Sequence, residues 1–157
     1  MRKRIVSPGA TAPATPEGEW LNLEEVAELE ITSEDPEYPI EHALLPDHSS
    51  GWRAGSGGEQ TIRFLFDEPQ SIRRIWIHFE ETEVVRTHEF VLRWSADNGQ
   101  TFTDIVRQQW NFSPDGMREE SENIYLDASG VTTLELTIKP DLSDDNAVAT
   151  LAQLRIG

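Results

Sequence analysis

Apolar residues recur at every second position in this chain, and this period limits the possible folds more than any other feature. Between residues 59 and 67, Ile62, Phe64 and Phe66 share one face of an extended chain. The same spacing recurs in three further segments, 72–80, 88–95 and 131–139. Because successive side chains of a strand point to opposite faces, the pattern predicts half-buried antiparallel strands.

Weaker forms of the same pattern predict four more strands. They cover residues 26–32, 101–109, 120–127 and 148–156. The segment 24–30 alternatively suits a short helix, because its side chains have high helical propensity. About eight strands without a longer helix predict an all-β fold, an antiparallel jelly-roll β-sandwich.

The connections between these strands alternate between long and short. Long ones are predicted at 33–58, 81–87, 110–119 and 140–147, and tight turns at 68–71, 97–100 and 128–130. Asn98-Gly99 is a strong signal for a tight hairpin turn. In an up-and-down chain alternate connections lie at the same end, so we expect all four long loops at one end. That end is where function is expected on a rigid β scaffold.

Composition separates a tail from one domain. Residues 7–18 are rich in Pro, Ala, Thr and Gly, so we expect 1–18 to be a flexible tail and 19–157 a single domain.

The chain has 13 basic and 29 acidic residues, a net charge of −16, which disfavours nucleic acid and anionic membranes as partners. Without a secretion-signal pattern or a run of ~20 apolar residues, the expected location is cytoplasmic.

The order of several segments resembles the discoidin or coagulation-factor type C family. These segments are Gly51-Trp52-Arg53-Ala54, the hairpin at 89–102 with Ser95-Ala96-Asp97-Asn98-Gly99, and the closing strand at 151–156. The resemblance covers roughly residues 20–157 and implies a galactose-binding-like sandwich. Members of that family mostly bind sugars, phospholipid headgroups or proteins through loops at one end.

The resemblance also implies a structural calcium ion, from which this sequence departs. Many members hold that ion with an Asp-Gly pair in the first long loop and a late Glu. Here the loop reads Leu45-Pro46-Asp47-His48-Ser49-Ser50, and Gln153 occupies the late position. A neutral amide is a poorer ligand for Ca²⁺ than a carboxylate. We therefore expect no metal and no cofactor, and the separation of His42 from His48 matches no known zinc site.

Trp110, Asn111 and Phe112 are the first candidate ligand-binding residues. They lie in the predicted loop 110–119, where an aromatic face beside an amide suits a sugar ring. The alternative is that Trp110 closes the end of the barrel and Phe112 fixes the loop by packing. A melt of Trp110→Ala would distinguish the two roles.

Arg86, Glu81 and His88 are the second group of candidates. An arginine among carboxylates could hold a pair of hydroxyls or a carboxylate, or it could lie in a solvated loop. The sequence contains none of the nucleophile, phosphate-loop or metalloprotease motifs that would indicate an enzyme. The expected function is a non-catalytic module that binds carbohydrate at the long-loop end. The alternative is an intracellular protein–protein interaction domain that uses the same end.

Overall fold

The computed structural model describes residues 15–46, 50–81 and 84–157, which build an antiparallel β-sandwich. Two single-turn helices, α1 (Leu23–Val26) and α2 (Glu41–Leu44), precede and follow the first strand. The strands are β1 (Ala27–Ile31), β2 (Trp52–Gly57), β3 (Gln60–Glu80), β4 (Arg86–Ser95), β5 (Thr103–Phe112), β6 (Glu119–Lys139), β7 (Val148–Leu151) and β8 (Gln153–Ile156).

A long ribbon formed by β3 and β6 organises the sandwich. The two strands pair antiparallel from Gln60 opposite Ile138 to Glu80 opposite Glu119. Its register shifts between Leu65 and Arg74, where extra residues bend the ribbon. Residues 81–85 connect β3 to β4. Strand β4 pairs with the last part of β6, and that part of β6 also pairs with the start of β3, so β4 lies near the start of β3. Both ends of β3 therefore lie at the same end of the molecule, and the ribbon folds over at its middle.

The remaining strands extend the two halves of this ribbon. β1 pairs with the first half of β3, and β4 joins β6 to β5, which gives the order β1-β3-β6-β4-β5. β8 pairs with the second half of β3, from Ile75 to His78. β2 and β7 form a separate two-stranded sheet.

The residues that the period-two pattern places inward on β3 and β6 are buried, but residues 75–79 and 133–136 are buried on both faces. Ile62 and Phe64 on β3 and Leu134 and Leu136 on β6 are fully buried and belong to one apolar core. Trp52, the first residue of β2, is also buried. This apolar burial is the main stabilising contribution to the fold.

Several predicted boundaries are wrong. The turns at 68–71 and 128–130 are bends within β3 and β6, because the cross-strand pairing resumes after each irregularity. The predicted strand 148–156 is two strands, β7 and β8, that pair with different partners. Strand β2 lies within a segment predicted as loop, and β5 continues to Phe112, three residues beyond its predicted end.

The predicted clustering of loops at one end is confirmed. The Glu81 amide donates to the Arg118 carbonyl at 2.7 Å, and the Leu142 amide donates to the Thr87 carbonyl at 2.9 Å. The 97–100 turn is elsewhere, beside the bend of β6, where the Asn98 amide donates to Thr132 Oγ1. Asn98 and Gly99 have φ values of 60° and 88°, the left-handed conformation expected of an Asn-Gly turn.

The part of the predicted tail that the structure describes contacts the domain. Thr15 Oγ1 donates to Gln153 Oε1 at 3.0 Å, and Arg74 Nη1 donates to the Glu17 carbonyl at 2.9 Å. Residues 1–14 lie outside the described residues, so their predicted flexibility stays a prediction. In the three described ranges, no helix has the length and apolar character needed to cross a bilayer.

Candidate functional site

Trp110 and Phe112 lie on strand β5 and pack inward, which corrects the expectation that both lie in a loop. Trp110 pairs with His88 on β4, and Phe112 pairs with Arg86. The His88 ring is nearly parallel to Trp110, with centroids 6.1 Å apart, and meets Phe112 edge-on at 5.6 Å. Phe79 packs against His88 at 4.3 Å. Phe112 and His88 are both buried, and Trp110 is half-buried against the core.

This packing means that Trp110, Asn111 and Phe112 do not form one binding face. Side chains alternate along β5, so Asn111 points away from its two aromatic neighbours. It is exposed, and its Oδ1 accepts a hydrogen bond from Thr87 Oγ1 at 2.8 Å. A buried Phe112 cannot offer a ring to a ligand, so the packing alternative describes this side chain.

His88 is a neutral, buried member of the aromatic cluster. Burial, followed by the nearby charge of Arg86, lowers the pKa of His88 to about 4. Within the described part of the chain, its Nε2 has no hydrogen-bond partner. An imidazole in such surroundings contributes packing, and its buried position removes it from the candidate contacts to a ligand.

Arg86 and Glu81, two of the candidate ligand-binding residues, form an ion pair. Arg86 Nη2 lies 2.9 Å from Glu81 Oε2, and Arg86 Nη1 donates to the Val148 carbonyl at 3.0 Å. The two side chains are only 12% and 11% exposed. An ion pair this sheltered is screened less than a surface pair, so the guanidinium is held in a defined position.

A pocket of about 350 Å³ opens beside this ion pair at the long-loop end. It lies between the small β2–β7 sheet, the end of β3 and the start of β4. Its walls are Tyr38, Ser50, Trp52, Arg53, Glu80, Glu81, Val84, Arg86, Val148, Thr150, Leu151 and Ala152.

The pocket combines fixed charges with an aromatic side chain. The Arg53 guanidinium carbon lies 5.9 Å from the centroid of the Tyr38 ring, close enough for a cation–π contact. Among the described residues, Trp52 Nε1 and Arg86 Nε are buried donors without a protein acceptor. A few polar groups placed among aromatic and apolar side chains are typical of small-ligand sites.

Sequence reasoning missed Tyr38, Arg53 and Thr150 as members of this site. They belong to the first long loop, β2 and β7, which are distant in sequence and meet only because β2 pairs with β7. The alternation of buried Trp52, exposed Arg53 and buried Ala54 was the available signal for β2.

The residues examined for a calcium or zinc site are only partly described. Asp47 and His48 lie outside the described residues. His42 Nδ1 lies 2.8 Å from Ser50 Oγ, and the Gln153 side-chain oxygen accepts a hydrogen bond from Thr15. The expectation of no calcium site therefore stays a prediction.

No family model matches this sequence, and no curated protein matches it. Solved structures do match. A pectin-binding carbohydrate-binding module is 19% identical with a TM-score of 0.61, and the match covers 85% of this chain and 91% of that one. The CBM32 module of AlyQ, solved with 4,5-unsaturated mannuronic acid, is 14% identical with a TM-score of 0.60, over 85% and 95% of the two chains.

A third match is the module CpGH89CBM32-5 from Clostridium perfringens, in complex with GalNAc-β-1,3-galactose. It is 15% identical with a TM-score of 0.59, and the match covers 83% of this chain and 94% of that chain. At these identities the likeness shows the fold alone. It confirms the antiparallel β-sandwich that the sequence predicted.

Proposed function

We propose that this protein is a non-catalytic carbohydrate-binding module whose ligand occupies the pocket beside Arg86. The observation that carries the proposal is the fixed position of that guanidinium, which Glu81 and the Val148 carbonyl hold in place within an open pocket. A group fixed before the ligand arrives loses little conformational entropy on binding.

The chemistry of the pocket walls suits a sugar. Arginine offers planar paired donors that match two adjacent hydroxyls or a carboxylate. Arg53 adds a second cation at the wall, Glu80 adds an acceptor, and Tyr38 adds a ring. A sugar ring can place its apolar C–H face against such a ring while its hydroxyls bond to the charged groups.

The solved neighbours support this proposal by analogy of fold. One is described as pectin-binding, and others were solved with sugars bound. Because one fold can host many functions, the evidence specific to this chain is the pocket itself.

The test is binding of pectin fragments and GalNAc-β-1,3-galactose, screened on a glycan array and measured by calorimetry. We expect Arg53→Ala and Arg86→Lys to weaken binding about tenfold or more, because a hydrogen bond to a charged group contributes roughly 1.5–3 kcal/mol. Arg73→Ala is the matched control, since Arg73 is 65% exposed at the bend of β3 and pairs with Asp127. Absence of glycan binding by the unmodified chain would contradict the proposal, as would an equal loss in the Arg73 variant.

A second candidate is a protein partner docked at the same end. The observation that favours it is a set of exposed apolar side chains in the loops there, Val84, Val85, Met117 and Leu142. Contiguous exposed apolar groups mark interaction surfaces, and Val84 and Val85 are adjacent in the chain. Val85 is 73% exposed, so Val85→Ser should abolish partner capture and leave glycan affinity unchanged if this candidate is correct.

A further inference from the structure

We propose that His78, Glu80 and Glu119 form a binding site for a divalent transition metal such as Zn²⁺. One ligand atom from each of the three side chains lies within 4.8 Å of the other two. His78 Nε2 is 3.1 Å from Glu80 Oε1 and 3.8 Å from Glu119 Oε2. The metal site shares Glu80 with the pocket wall, but its metal binding does not require that the pocket binds carbohydrate.

The sheet itself places the three side chains together. His78 and Glu80 are two residues apart on β3, so they point to the same face. Glu119 is the direct cross-strand partner of Glu80, and Ser121 is the partner of His78. All the groups therefore lie on the paired ends of two strands, which hold a site more rigidly than loops do.

His78 is oriented as a metal-binding imidazole is. Its side chain is 1% exposed, and its ring lies parallel to Trp76 with centroids 5.9 Å apart. Nδ1 is 2.6 Å from Ser121 Oγ, which leaves Nε2 directed towards the two carboxylates. A ligating histidine usually has its other nitrogen held by such a hydrogen bond.

The Ser121 hydroxyl can form a hydrogen bond with His78 Nδ1 both in the presence and in the absence of metal. In the metal-free protein, Nε2 can donate its proton to Glu80 while the hydroxyl donates to Nδ1. When Nε2 ligates a metal, the imidazole proton lies on Nδ1 and the hydroxyl accepts it, because a hydroxyl can serve as donor or acceptor. Metal binding therefore needs no rearrangement of the buried ring.

The charges at this site favour a cation. Glu80 and Glu119 are directly opposite each other, an arrangement of like charges that destabilises a pair of strands. They are 44% and 54% exposed, so water is available to both, yet both converge on His78.

The ligand set selects the class of metal. One imidazole and two carboxylates suit Zn²⁺, whose ligands at about 2.0–2.2 Å stand roughly 3.3–3.6 Å apart in a tetrahedron. The separations from Nε2 of 3.1 and 3.8 Å bracket that spacing. Three protein ligands leave one position open, and Glu80 also lines the pocket, so the open position would lie near the pocket wall. Ca²⁺ prefers six to eight oxygen ligands, which this set does not supply.

The test is calorimetric titration of the full untagged chain with zinc chloride. We expect one ion per chain. We expect Glu119→Gln to weaken Zn²⁺ binding about tenfold or more, because losing even a residue that only hydrogen-bonds a metal ligand typically lowers metal affinity about tenfold. Glu120→Gln is the matched control, because it removes the same charge one residue along β6 on the opposite face. It should bind Zn²⁺ as the unmodified chain does. Circular dichroism checks that both variants fold.

A second measurement identifies the ligand. In nitrogen-15 NMR spectra, Zn²⁺ should shift the Nε2 resonance of His78 and leave that of His88 unchanged, and calcium chloride should shift neither. The proposal is overturned if the unmodified chain does not bind Zn²⁺, or if Glu119→Gln binds it equally well. It is also overturned if Zn²⁺ binds without moving the His78 resonance.

Discussion

The buried imidazole of His88 should make this protein lose stability in mild acid. The ordinary histidine pKa of 6.5 applies to the unfolded chain, whereas burial among aromatic rings and the charge of Arg86 lower it to about 4 in the folded protein. The unfolded chain therefore binds the proton more readily. The stability contributed by the neutral ring is present above pH 6.5 and is lost as pH falls towards 4.

The size of this effect follows from the two pKa values. One pKa unit corresponds to about 1.4 kcal/mol, so the full displacement corresponds to roughly 3 kcal/mol. About 2 kcal/mol of that should be lost between pH 7 and pH 5. Burial raises carboxylate pKa values, but hydrogen bonds and nearby cations outweigh it and lower the pKa values of Glu89 and Glu135, so these groups take up protons mainly below that interval. The window from pH 7 to pH 5 therefore separates the histidines from these carboxylates, and the substitution of His88 identifies its share.

The assay is urea unfolding followed by tryptophan fluorescence at pH 7, 6 and 5. His88→Phe removes the titrating group and the unpartnered Nε2, so the free energy of unfolding should lose most of its dependence on pH in this interval. The absolute stability of His88→Phe at pH 7 is less informative, because two effects oppose each other. The larger Phe ring strains a packed site, whereas removal of the unpartnered Nε2 stabilises the folded protein. His42→Gln is the control and should keep the slope of the unmodified chain. The reasoning is refuted if His88→Phe keeps that slope, or if the His88 resonance titrates near pH 6.5.

Two further substitutions test the packing that surrounds the candidate site. Trp110→Ala should lower the free energy of unfolding by about 2–4 kcal/mol, because the half-buried ring packs against the core, whereas Tyr125→Ala at a 72% exposed position should cost far less in the same thermal melts. Glu135→Gln should cost about 1–3 kcal/mol in urea unfolding, because the buried carboxylate accepts hydrogen bonds from Arg63 Nε at 2.7 Å and Arg93 Nε at 2.6 Å. An unchanged midpoint for either Trp110→Ala or Glu135→Gln would contradict the corresponding contact.

The strands were predictable from the sequence because burial imposes a local period. Ile62, Phe64 and Phe66 identify the inward face of β3 whatever the strand pairs with. The period-two pattern does not show whether a turn signal ends a strand. Pro69 and Gly130 indicate a change of direction, and the chain does bend there. The cross-strand pairing nevertheless resumes beyond both bends, which depends on the partner strand and not on the local sequence.

The end of β5 shows the same limit at the candidate site. Asn111 is polar and a turn signal at 113–116 follows it, so the sequence predicts that the strand ends at residue 109. In the structure the pairing with β4 continues, and Trp110 and Phe112 face inward with the core. The partner strand fixed their conformation, so an aromatic pair that looked suited to a sugar is part of the packing.

Arg86 lies beside the candidate pocket for a physical reason that extends to its neighbours. The sequence predicted a loop at 81–87, but β4 begins at Arg86, so Arg86, His88, Phe90 and Leu92 occupy alternate positions on the inward face. His88, Phe90 and Leu92 are buried in the core, but the charge of Arg86 must pair with another group or reach water. It does so at the open end of the sandwich, where Glu81 and the Val148 carbonyl hold it beside the pocket. A charged side chain at a position that the period reserves for apolar residues therefore identifies this site better than the aromatic residues do.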